Sequence, residues 1–255
     1  MVGAALDIFS RSGYAYLSRY LHVVVGITWI GLLYYFNFVQ VPAFAEMEAA
    51  ARNNAIDKLA SRALWWFRWA AVATVLTGLL ILGFQRDLTG KTQLTSMDYF
   101  KSMQGISIAT GILLALTMFV NVWGIIWRNQ KTVIANARNV QAGGEADPAA
   151  APAGRLAGMA SRQNTIFSLP MLIFMVGTAH FPYDQILPPS GSKRATYWII
   201  TLVIWALFET NALGWIGGTK PGGTNAIYDT HKNALITGFV YAAVMLGVYA
   251  LVLAN

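Results

Sequence analysis

Residues 21–44 read LHVVVGITWIGLLYYFNFVQVPAF. The stretch is long and apolar enough to cross a bilayer, which takes about 20 residues of helix. Yet it carries His22, Asn37 and Gln40. A polar group in hydrocarbon must find a partner, so each of the three demands an explanation. Gly26 lies one turn from His22 and Trp29 two turns away, on the same helix face. A small residue beside a histidine leaves room for something flat, which points to a haem or metal pocket. The alternative is a histidine that bonds a neighbouring helix.

The rest of the chain fits the same setting. Of 255 residues 56% are hydrophobic and only 11% are charged, with a mean hydropathy of +0.49. Soluble domains carry about 25% charged residues, so the composition is that of an integral membrane protein. The net charge of +7 belongs to loops facing the cytoplasm and implies no nucleic acid partner. The chain has no cysteine, which excludes thiolate catalysis, disulfides, iron–sulfur clusters and covalent haem attachment. Any haem must be held without covalent linkage, and His22, His180 and His231 are the only histidines. Residues 1–14, with Asp7 and Arg11, do not read as a signal peptide.

The apolar pattern predicts an all-α fold, a polytopic bundle in one domain with six spans. They fall at about 17–40, 63–84, 106–127, 165–182, 195–215 and 232–254. Pro170 should kink the fourth. Tyr and Trp near many span ends mark the headgroup level. Six spans place seven of the 18 Lys and Arg on the side of the termini and eleven on the other. The second side is the expected cytoplasm, with both termini periplasmic in a bacterial inner membrane. The Gly/Ala/Pro-rich segment 128–164 reads as a flexible cytoplasmic loop whose flanks, 129–142 and 154–164, could form short interfacial helices. The run GGTKPGGTN at 217–225 lacks the order of a phosphate loop.

This topology sorts the polar residues into two layers. His22 and His180 fall about 5–10 Å below the outer boundary on different helices. Matching depth is what two imidazoles need to ligate the iron of haem b between them. Gly177, one turn from His180, clears space on that face, and Arg19 could pair with a propionate or simply face headgroups. The inner layer holds Asn37, Gln40, Asn121, Glu209, Asn211 and His231. Glu209 is the only acidic residue inside a span. A Glu209–His231 pair with amide neighbours could relay protons, bind a small polar ligand, coordinate a metal or only lock helix packing. No Ser-His-Asp arrangement, carboxylate pair or HExxH pattern appears, so no hydrolase class is supported.

The first span resembles that of the bacterial membrane-bound urate hydroxylases, the urate oxidase N-terminal domain family. AHFPYDQILP at 179–188 and ALWWFRWAAVATVLTG at 63–78 are similar to it too. His22, Gly26, Trp29, Asn37 and Gln40 match the first-span motif, and His180 matches the histidine before an aromatic–proline pair. In that family an outward-facing cytochrome c domain commonly follows the membrane part. This chain has no cysteine for one, so the resemblance implies electron transfer to a separate cytochrome c or a quinone. Two other readings stay open: a cofactor-free accessory subunit of a larger membrane complex, and a small-solute transporter built on Glu209, Asn211 and Asn121. Lipid is the expected surrounding in each.

Overall fold

The computed structural model describes residues 7–182 and 187–253, and their long elements are all helical. Four segments are long and apolar enough to cross a membrane: α1 Arg11–Glu46, α2 Ala49–Phe84, α4 Met103–Gln141 and α7 His231–Leu253. A short α3, Met97–Lys101, precedes α4; α5 is Ala150–His180 and α6 is Gly191–Ala212. At 1.5 Å per residue the 36 residues of α1 extend about 54 Å, well past a hydrocarbon layer of about 30 Å.

α1 and α2 form a hairpin with its bend at Met47–Glu48. Arg11 fastens the open end by donating to the carbonyls of Phe84 and Gly83, two of the acceptors a helix C-terminus leaves free. α4 and α5 form a second hairpin. The segment 128–164, expected to be linker with helical flanks, is helix through Gln141 and again from Ala150, leaving a turn at 142–149. Asp57 on α2 clamps the end of α4 through Arg138, with Nε 2.5 Å from its carboxylate.

α5 is the axis of the bundle. Thirteen of its residues are buried, among them Gln163, Asn164, Thr165 and Ser168. That explains why it does not count among the four apolar helices: its polar residues face protein, where partners exist, and not lipid. Ser107 donates to the Phe174 carbonyl at 2.8 Å, and Tyr34 meets Ser168 at 2.9 Å. Thr110 meets Tyr197 at 2.7 Å, and the Trp205 indole donates to Thr117 at 2.9 Å. Pro170 sits inside α5. On the outside, Val23, Ile27, Leu79, Leu80, Ile199, Val203, Phe239 and Val240 stand exposed. An apolar surface of this extent suits lipid and not water.

Three of the long helices contain a π-helical turn: Tyr35–Gln40 in α1, Ile56–Ala60 in α2 and Asn121–Ile126 in α4. Such turns are rare and gather at functional sites.

Candidate functional site

The outer layer separates. The His22 ring lies against α2, with Nδ1 2.9 Å from the Thr74 carbonyl and 3.1 Å from the Thr77 hydroxyl. A carbonyl only accepts, so Nδ1 carries the proton and Nε2 keeps its lone pair. Gly78 makes the approach possible: a Cβ there would stand 3.2 Å from His22 Cε1. A Cβ at Gly26 would meet nothing within 4 Å, so the face beside His22 is open. His180 ends α5 and is exposed. No hydrogen bond or ring contact joins His22 to His180 among the described residues. The space expected beside Gly177 is filled by the Phe181 ring, 2.2 Å from where a Cβ would stand. Arg19 is exposed and makes no ion pair among the described residues. Tyr183, Asp184, Gln185 and Ile186 of the 179–188 motif lie outside the described residues.

The inner layer divides into two groups. In one, Asn121 donates to Asn164 at 3.1 Å and to Glu209 Oε2 at 3.3 Å, while Asn164 donates to the Met118 carbonyl at 3.0 Å. Tyr228 lies 2.8 Å from Gln163 Oε1 and 3.0 Å from the Phe208 carbonyl, so its single proton serves one of them. Asn121 Oδ1 and Gln163 Nε2 are buried without partners. His231 is not part of this group. Its ring stands 6.1 Å from that of Phe38, at the start of α7. Asn211 instead holds the following loop, donating to the Thr224 carbonyl at 2.9 Å.

The second group surrounds a cleft of ≈ 190 Å³ among α1, α2, α4 and α5. The π turn of α1 brings Phe36, Asn37 and Gln40 to it; α2 adds Leu64 and Phe67. α4 adds Ile126 and Gln130, and α5 adds Arg155, Gly158, Ser161 and Arg162. Asn37 donates to Ser161 at 2.8 Å and back to the Leu33 carbonyl at 2.9 Å. Arg155 is paired with Asp229 at 2.8 Å, whereas Arg162 donates to the Tyr228 carbonyl and has no carboxylate partner among the described residues. The sequence singled out Asn37 and Gln40 but not the two arginines, which lie in the flank 154–164 read as a short interfacial helix. Thr74, Thr77 and Gly78 were also missed, although ATVLTG places its small and hydroxyl residues on one helix face. Among the described residues no group of three or more His, Asp and Glu could hold a metal ion.

The fold thus defines an all-helical, membrane-competent bundle with polar groups on its inner faces. The family model for the urate oxidase N-terminal domain matches residues 88–212, and over that segment the chain is similar to this family. The match takes in His180, Asn121, Glu209, Arg155 and Arg162, and leaves out the first span on which the sequence resemblance leaned most. No curated protein and no solved structure matches the chain.

Proposed function

We propose that this protein is an integral membrane redox protein of the urate-hydroxylase type. It acts on a urate-like substrate and passes the electrons to an external cytochrome c or a quinone. The observation that carries the reading is the family match over 88–212. It sits in the bacterial inner membrane as one domain of six spans with both termini periplasmic. The apolar outer face of α6, with Ile199, Val203 and Leu207 exposed, supports counting that helix among them, and the charge bias supports the orientation.

A non-covalent haem b is part of this proposal, and His22 fits its ligation. A histidine that ligates a metal normally donates its other ring N–H to a carboxylate, a backbone carbonyl or water, which fixes the tautomer. His22 does this toward Thr74 and leaves Nε2 available. The residues around His180 support a second ligand less well, because Phe181 fills the space beside Gly177. When bound, the group would supply one-electron transfer.

The test is the absorption spectrum of the purified chain together with urate-dependent reduction of added cytochrome c. A Soret band lost in His22→Ala and kept in His180→Ala supports His22 as the essential ligand. Loss in both variants restores paired ligation. A colourless preparation that still reduces cytochrome c with urate removes the haem and keeps the activity. A colourless and inactive one leaves a helix-packing subunit of a larger complex, with His22 a clasp between α1 and α2.

A further inference from the structure

We propose that the cleft at the π turn of α1 is a binding site for a small planar anion that carries ring N–H groups, the chemical class of oxidised purines. The inference rests on the urate-type reading only for naming urate as the first probe.

Four features of the cleft converge on that class. Its volume, ≈ 190 Å³, is below the usual range of about 300–1,000 Å³ for drug-sized ligands, so the occupant is small. Phe36 and Phe67 line it, and apolar ring walls favour a flat partner. Arg162 brings a positive charge with no ion pair of its own among the described residues, the nearby Asp229 being bound to Arg155, and this favours an anion. Gln40 presents a buried Oε1 with no hydrogen-bond donor. A lost partner of this kind is costly, so the occupant must bring an N–H or O–H. A plain carboxylate satisfies the arginine and not the glutamine. A heterocyclic anion with ring N–H groups satisfies both.

The backbone is shaped for the purpose. The π turn Tyr35–Gln40 puts Phe36, Asn37 and Gln40 at the cleft together, and an insertion of that kind costs helix stability. On the opposite wall Gly158 leaves the floor bare, since a Cβ there would meet nothing within 4 Å. A side chain at 158 can therefore fill the cleft without striking the protein.

The experiment uses the full chain in lipid nanodiscs, with urate and xanthine as probes in equilibrium dialysis. Gly158→Leu fills the cavity, and Gln40→Leu removes the unpartnered acceptor. The expected result is urate binding weakened at least tenfold by each variant, with thermal unfolding of the protein unchanged. Xanthine binding that is sensitive to both variants, with no urate binding or oxidation, keeps the site and sinks the urate-type activity. Urate binding or oxidation indifferent to Gly158→Leu keeps that activity and overturns the site. Absence of binding by either probe also overturns it.

Discussion

His22 donates its Nδ1 proton to the Thr74 carbonyl across 2.9 Å, and so joins α1 to α2 within the apolar part of both helices. The Thr77 hydroxyl, which donates to the Ala73 carbonyl at 2.7 Å, accepts from the same nitrogen. The contact depends on Gly78 being bare. A valine there brings a Cβ within 3.2 Å of the ring and two methyl groups beyond it. Overpacking of this kind costs about 1–3 kcal/mol. Gly78→Val is expected to lower stability by that amount in denaturant titrations of detergent-solubilised protein. Gly26→Ala, facing open space, should be neutral. Equal effects would show that His22 is not seated on α2.

Asp87 organises the loop between α2 and α4. Its Oδ1 accepts from the Thr89 hydroxyl at 2.7 Å, the Thr89 amide at 2.9 Å and the Lys91 amide at 3.0 Å; its Oδ2 accepts from Ser96. The Ser96 hydrogen bond, then those from Thr89, hold the carboxyl below its ordinary value of 3.8. Loop order is therefore fully present above pH 3.8 and is lost as pH falls through the lower folded value. Protection of residues 87–96 against hydrogen exchange, relative to the free-chain rate at each pH, should hold at pH 5 and fall only well into the acid range. Asp87→Asn, which lacks the charge, should exchange faster already at neutral pH.

Glu209 accepts from Asn121 at 3.3 Å and is half-buried. Glu209→Gln keeps an acceptor at that place and should change stability by less than about 1 kcal/mol. Glu209→Leu leaves one Asn121 N–H unpaired and should cost about 1–3 kcal/mol. Equal stability of the two variants, in the same denaturant titration, would mean that Asn121 has another acceptor.

The helical class, the apolar segments and the polar character of the first span were legible in the sequence because each is a local pattern. Periodicity shows which helix a polar residue occupies, but not which neighbour it faces. Hence His22 and His180 could be given a common depth, whereas the pairing of His22 with Thr74 required the α1–α2 hairpin. Glu209 stood out by its charge, yet its partner Asn121 comes from α4, and Asn164, which braces Asn121, from α5. Arg155 and Arg162 were hidden for another reason. The flank 154–164 read as a short interfacial helix, which turns its arginines to headgroups and not to the interior of the bundle. Pro152 sits in the first turn of α5, where its missing N–H costs nothing. The interior role of α5 raises its polar content above that of a lipid-facing span, so hydropathy alone understates it.

Arg68 carries the remaining prediction. It is 8% exposed on α2, its Nε and Nη1 have no hydrogen-bond partner, and its guanidinium lies 3.5 Å from the centroid of the Trp127 ring. Trp123 stands at 5.7 Å. With no acceptor for those two nitrogens, the aromatic faces are what offset the loss of water around the charge. A desolvated cation–π contact is worth about 2 kcal/mol. Trp127→Leu should then cost more than its lost area alone, because it strands a buried charge. In an Arg68→Met background the same substitution should cost about 2 kcal/mol less. Arg68→Met by itself should be close to neutral, since methionine keeps the apolar volume and removes the charge. Arg68→Lys should be worse than Arg68→Met, because an ammonium cannot stack flat on indole. A double-mutant cycle measured by denaturant titration in detergent decides the matter. A coupling indistinguishable from zero would mean that Arg68 reaches an acceptor outside the chain, such as a lipid phosphate, and that Trp127 is only its neighbour.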